Sequence, residues 1–147
     1  MTTTLHGACC TLRGGGILIR GESGSGKSSL ALLLASLEDG AFVADDRIVC
    51  AVSGGRVRGR PHPALAGRVE VRGQGILSVA ELGVASCSEA TLDLVVDLVA
   101  VSPRLPELPG TADLLGVPLP CLILDHGVRA AGLAPLLIRA ALRKSES

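Results

Sequence analysis

Gly21-Glu22-Ser23-Gly24-Ser25-Gly26-Lys27-Ser28 fits the phosphate-binding pattern G-x-x-x-x-G-K-[ST] at every fixed position. In such a loop, bare glycines let successive backbone N–H groups turn inward around the α- and β-phosphates of a nucleotide. Lys27 then reaches the β/γ oxygens, and the Ser28 hydroxyl is a ligand for Mg²⁺. The chemistry that follows is that of ATP or a related triphosphate with Mg²⁺, held by Gly21 through Ser28. The context agrees, because the apolar run Ile17-Leu18-Ile19 leads in and a helix-forming run, Ser29 to Leu37, leads out. The positive end of that helix's dipole adds to the pull on phosphate.

Three other acidic groups could act on the same nucleotide. Asp45 and Asp46 close the apolar stretch Ala41-Phe42-Val43-Ala44, where a carboxylate can hold Mg²⁺ or face the γ-phosphate. Neighbouring strand residues point to opposite sides, so both can face the nucleotide only if the chain turns there. Without a turn they are a solvated strand-end pair. Glu70, in Val69-Glu70-Val71, would supply a second oxygen ligand for the cation. On spacing alone it reads better as an exposed strand residue paired with Arg68 or Arg72. His6, a lone histidine beside an apolar strand, reads by itself as structural.

The elements that must position these groups form one α/β domain over residues 1–147, with residues 144–147 expected to fray. Leu5 to Leu12 and Ile17 to Arg20 read as two strands joined by the turn Gly14-Gly15-Gly16. Leu30 to Leu34 and Leu37 cover most of the loop helix, which predicts a central element buried on several sides. Ile48 to Val52 and Arg56 to Arg60 read as a hairpin about Ser53-Gly54-Gly55, so antiparallel pairing is mixed into the sheet. Arg72-Gly73-Gln74-Gly75 reads as a flexible loop before Ile76 to Val79. Leu92 to Val101 reads as a strand with Asp93 and Asp97 on its wetter face, and Pro103 to Pro109 as a loop. Leu119 to Leu124 is expected to be a final buried strand, and Leu133 to Arg143 an amphipathic helix.

Composition excludes several partners. Lys plus Arg and Asp plus Glu both number 14, so no net charge favours nucleic acid or an anionic membrane. Phe42 is the single aromatic among Phe, Tyr and Trp, so bases cannot stack on an aromatic platform and an adenine must rest on aliphatic or backbone surface. The most apolar stretch, Leu92 to Val101, is interrupted by Asp93 and Asp97 and is far short of the ~20 residues that span a bilayer. Cys9, Cys10, Cys50, Cys87 and Cys121 show no C-x-x-C spacing and mostly fall in apolar runs, which predicts reduced, buried thiols in a cytoplasmic protein.

Taken in order, His6-Gly7, the loop from Gly21 to Ser28, Val43-Ala44-Asp45-Asp46-Arg47, and Val69-Glu70-Val71-Arg72-Gly73-Gln74-Gly75-Ile76 resemble the catalytic domain of bacterial HPr kinase/phosphorylase over roughly residues 1 to 80. The resemblance implies a P-loop domain of the phosphoenolpyruvate carboxykinase-like type, a mixed twisted sheet packed around the P-loop helix. It also implies transfer of the γ-phosphoryl group of ATP to a serine of HPr, the phosphocarrier of the sugar phosphotransferase system. Carried onto matching positions, Lys27 and the loop amides hold phosphate, and Ser28 and Glu70 ligate Mg²⁺. Asp46 takes the serine proton with Asp45 beside it, and His6 supports the reacting centre. The family's reverse reaction, phosphorolysis of phosphoserine, is implied less firmly. Asp113-Leu114-Leu115-Gly116 has leucine where D-R-L-G is usual, and Arg129 alone remains of an arginine-rich loop before the last helix. The chain starts almost at His6-Gly7, which resembles a short form of the family, and a homo-oligomer is left open. Two other readings stand beside this one: a small-molecule kinase or NTPase, and a non-catalytic nucleotide sensor that binds a partner.

Overall fold

The computed structural model describes residues 1–101 and 110–145. Eleven strands and three α-helices follow one another in it. They begin β1 (Thr3–His6), β2 (Ala8–Leu12), β3 (Gly15–Gly21), α1 (Lys27–Ala35) and β4 (Gly40–Ala44), followed by β5 (Arg47–Ser53) and β6 (Arg56–Pro61). Next come β7 (Arg68–Val71), β8 (Gly75–Ser78), β9 (Ala90–Leu98), β10 (Thr111–Leu114) and β11 (Val117–Leu124). The chain ends with α2 (His126–Ala130) and α3 (Ala134–Ser145).

Nine strands form one mixed sheet in the order β1-β5-β6-β9-β3-β2-β4, with β11 also on β9 and β10 on β11. β9 is parallel to β3 and to β11, whereas the hairpins are antiparallel. The mixed α/β architecture expected from the sequence is thus present. Its central strands read as unbroken apolar runs because both faces are covered. Ile17 and Ile19 of β3 enter a core beneath α1 and α3, whereas Leu18 enters a second core with Ile48, Cys50 and Val57 of the β5–β6 hairpin.

Several local expectations are corrected. Leu5 to Leu12 is two strands, not one, because the chain breaks at Gly7: β1 pairs with β5, and β2 pairs with β3. The turn after β2 is Arg13-Gly14, both with positive φ, so Gly15 and Gly16 already belong to β3. Arg72-Gly73-Gln74 is not a flexible loop but the turn of the separate β7–β8 hairpin, closed by Gln74 N–H donating to Val71 O at 2.9 Å. Helix α1 starts at Lys27 and ends at Ala35, two residues ahead of the expected span at each end. It is not buried all round. Leu30, Ala31, Leu34 and Ala35 face the core, but Leu33 is 51% exposed because α1 lies on one face of the sheet.

Asp93 and Asp97 are half-buried where most of β9 is buried, and both are partnered: Asp93 accepts from Gly16 N–H at 3.3 Å, and Asp97 is paired with Arg20. β11 is only half-buried, with Ile123 53% exposed and only Leu119 and Leu124 in the core. Helix α3 runs through Lys144 to Ser145, and residues 146–147 lie outside the described span. The loop expected over 103–109 lies outside it as well. Arg139 and Asp39 form a bidentate ion pair at 2.7 and 2.8 Å, which holds α3 to the corner after α1.

Candidate active site

The phosphate loop leaves the carboxyl end of β3 between two fixed points. Arg20, just before Gly21, donates to Asp97 on the parallel neighbour β9 at 2.7 and 2.9 Å, locking the two strand ends together. Burial would raise the Asp97 carboxyl, but the hydrogen bonds from Arg20 and from the Cys121 thiol outweigh it and hold it below the usual range. The Cys121 thiol is pushed up to about 11 by burial and by the Asp97 charge. At the far end of the loop, Gly26 has φ of 96° and hands directly into α1. No side chain caps this helix and no acidic residue sits in its first turn, so its leading N–H groups are available to an anion. Gly21 is closely packed as well: a Cβ there would sit 3.1 Å from Leu98 O and would force the Ser25 hydroxyl, 2.5 Å away, to turn aside.

Lys27 Nζ donates to Gly21 O at 2.7 Å and Glu22 O at 2.9 Å, which places the ammonium across the mouth of its own loop. Opposite it lies a cavity of about 350 Å³ lined by Gly24, Lys27, Ser28, Asp45, Asp46 and Glu70, with Arg72 at its rim. That volume lies at the lower end of the range for small-ligand sites.

The turn on which two inward-facing aspartates depended is present. Asp46 has φ of 64°, and Arg47 N–H donates to Asp45 O at 2.6 Å, closing a three-residue turn. Both carboxylates therefore line one cavity, Asp45 buried and Asp46 exposed. Asp45 accepts from the Ser28 hydroxyl through Oδ1 and from Glu70 N–H through Oδ2, the latter at 2.9 Å. One buried carboxylate thereby joins the loop, the aspartate corner and β7. Glu70 is exposed and lines the cavity; no ion pair to Arg68 or Arg72 is found among the described residues.

His6 is adjacent but not inside. It is exposed at the end of β1, paired in register with Arg47, and it does not line the cavity. Its neighbour Gly7 donates to Asp46 O at 3.0 Å, so the His-Gly step braces the aspartate corner through the backbone.

Sequence reasoning did not foresee what Arg129 does. From α2 its guanidinium donates to Ser25 O in the loop, to Val99 O at 2.7 Å beyond β9, and to Asp125 O at 3.1 Å. It ties the phosphate loop to the end of β9. The only signal in the sequence was a lone arginine shortly before the last helix. Leu115-Gly116 proves to be the tip of the β10–β11 hairpin, both residues with positive φ, and lies away from the cavity.

Among the described residues no group of three or more His, Cys, Asp and Glu could hold a metal by itself. The oxygens of Ser28, Asp45 and Glu70 nonetheless suit a hard cation such as Mg²⁺, which is commonly held by one or two carboxylates together with substrate phosphates. No helix among the described residues is long and apolar enough to cross a membrane.

Comparison with known proteins extends the likeness beyond residue 80. The family model described as HPr Serine kinase C-terminal domain matches residues 1–143. The HPr kinase/phosphorylase of Bordetella petrii is 38% identical over 152 aligned residues, covering 98% of this chain and 48% of the relative. That of Variovorax paradoxus is 35% identical, covering 97% and 47%. The chain thus spans about half the length of the curated relatives it matches. A solved structure, the Hpr(Ser) kinase/phosphatase from Coxiella burnetii, superposes with a TM-score of 0.79 at 26% identity, covering 98% of this chain and 96% of that one. With its phosphate loop, aspartate corner and Glu70 gathered in one place, the chain belongs to the HPr serine kinase C-terminal domain family.

Proposed function

We propose that this chain is an ATP- and Mg²⁺-dependent protein serine kinase that phosphorylates the phosphocarrier HPr in regulation of the phosphotransferase system. The observation that carries the reading is the cavity that brings Lys27, Ser28, Asp45, Asp46 and Glu70 together across the phosphate loop, in a chain whose relatives bear the name HPr kinase/phosphorylase. Lys27 and the loop amides hold the phosphates, and Ser28 and Glu70 hold the cation, with Asp45 fixing both through its two oxygens. The charge neutralisation that transfer needs would come from Mg²⁺ held there. Asp46, exposed at the turn, accepts the proton of the incoming serine hydroxyl. His6 and Gly7 support that corner from β1.

These roles fit the energetics of phosphoryl transfer, in which positioning and charge neutralisation dominate and proton removal is the smaller part. The forward direction is favoured over phosphorolysis, because Arg129 is committed to three carbonyls and Leu114 stands where the family pattern has an arginine. The test is incubation with HPr and Mg-[γ-³²P]ATP and, separately, of phosphorylated HPr with inorganic phosphate. Label on an HPr serine is expected in the first arm, with little or no pyrophosphate in the second. Hydrolysis of ATP that ignores HPr would instead favour a small-molecule kinase or NTPase.

A further inference from the structure

A second cavity, of about 220 Å³, opens on the far side of the phosphate loop, between α1 and the segment that enters α3. Its lining includes Ser25, Gly26, Ser29, Leu33, Arg129 and Pro135. Gly26 and Ser29 also line the cavity that holds the carboxylates, so the two spaces meet at the first turn of α1. We infer that this second cavity receives the base and ribose of the bound nucleotide, with Leu33 as its apolar floor. The inference rests on the nucleotide reading of the loop and adds where the nucleoside lies.

The polarity of the phosphate chain selects this side. Asp45, Asp46, Glu70 and the Ser28 hydroxyl gather as the group that would hold a cation beside the terminal phosphates, so the γ end would point toward them. The α-phosphate then lies toward the N–H groups that open α1, and the nucleoside leaves past Ser29. Leu33 stands one turn further on, at i+4 from Ser29 and thus on the same helix face. It is 51% exposed, although its neighbours Leu30, Ala31 and Leu34 are buried. A purine lying on it would cover a large apolar side chain that the fold leaves open. Pro135 adds a rigid apolar surface, and the Arg129 guanidinium, held by three carbonyls, adds a fixed planar cation of the kind that stacks on aromatic rings. A shelf of this composition serves a chain that has no Tyr or Trp to stack a base. The Arg139–Asp39 pair keeps α3 against the α1 corner and so keeps the two walls together.

The test separates base from phosphate. Mg-ATP and inorganic tripolyphosphate with Mg²⁺ are titrated by calorimetry into the wild-type chain, Leu33→Gln, and the control Leu136→Gln, which alters a 65% exposed leucine of α3 outside the cavity. Leu33→Gln should weaken ATP about fivefold and leave tripolyphosphate within about twofold, since only apolar contact with the nucleoside is removed. The control should change neither. Leu33→Trp gives an independent signal, because the natural chain contains no Trp: its fluorescence should respond to ATP and not to tripolyphosphate. ATP affinity unchanged in Leu33→Gln, or an equal response of Leu33→Trp to both ligands, overturns the inference and leaves the nucleotide reading intact. A wild-type chain that binds neither ligand overturns both. ATP binding by the shelf without transfer to HPr overturns only the kinase proposal.

Discussion

Asp45 offers the sharpest test of how the site is held together, because two substitutions of it should separate folding from chemistry. The carboxylate is 7% exposed and accepts one hydrogen bond from the Ser28 hydroxyl and one from Glu70 N–H. In Asp45→Ala both donors lose their acceptor. A hydrogen bond to a charged group contributes about 1.5–3 kcal/mol, but the half-buried Ser28 hydroxyl can turn to water, so the loss should total roughly 2–3 kcal/mol. In Asp45→Asn the amide oxygen can face Glu70 N–H while the NH₂ faces Ser28 Oγ, which then turns to accept. That exchange should cost about 1 kcal/mol or less. Repulsion from Asp46 and Glu70 is relieved equally in both variants, so it cancels in the difference, about 1.5–2 kcal/mol, which is the quantity to measure. Urea unfolding should be followed by far-UV circular dichroism, since the chain has no Trp or Tyr to report by fluorescence. The midpoint should fall clearly for Asp45→Ala and little for Asp45→Asn, with the slope unchanged. Both variants should lose about 10²-fold or more in phosphoryl transfer, because the charge beside the cation is gone. Equal stability of the two variants would refute the assignment of Asp45 as the acceptor that holds Glu70 to the loop.

Three further expectations concern neighbouring features. Asp46→Asn should keep the turn, because Asn tolerates positive φ, and should slow transfer by ~10²–10⁴-fold with ATP affinity nearly unchanged; a full transfer rate would remove Asp46 as the base. Gly7→Ala would bring a Cβ to 2.8 Å from Ile19 O, destabilising the fold by about 1–3 kcal/mol and loosening the Gly7 contact to Asp46, and wild-type stability in a urea titration would contradict that crowding. Burial pushes the Cys10 thiol up to about 12 and Cys50 up to about 11, whereas unfolded thiols titrate near ~8.5. The folded state therefore keeps protons that the unfolded state loses, so stability should fall as pH rises from about 8.5 toward 11, and less steeply in Cys10→Ala.

The chemistry was more legible in the sequence than the architecture. The phosphate loop is a contiguous pattern whose function follows from local backbone geometry, so Gly21 to Ser28 could be named without a fold. Hairpins were readable for the same reason, since Gly54-Gly55 sets its own turn. The break at Gly7 was not. Leu5 and Ala8 to Leu12 look alike as apolar residues, and only pairing with different partners, β5 and β3, divides them. The half-open face of α1 was also hidden, because leucines all round a helix look alike whether the fold covers them on one side or several.

What the sequence by itself determined is the set of groups: a phosphate cradle, two adjacent aspartates, one glutamate and a His-Gly step, each fixed by residue type and short-range spacing. What only the tertiary structure decided is which of them meet. A turn at Asp46 lets two neighbouring carboxylates share one cavity, and the buried Asp45 draws Ser28 and Glu70 onto the same side chain from 17 and 25 residues away. Gly7, next to His6, braces Asp46 through the backbone, and Arg129 reaches 104 residues back to grip the loop. Those relations depend on long-range strand order, and strand order is set by burial of both sheet faces at once. A single sequence records the residues that are buried but not the partners against which they pack.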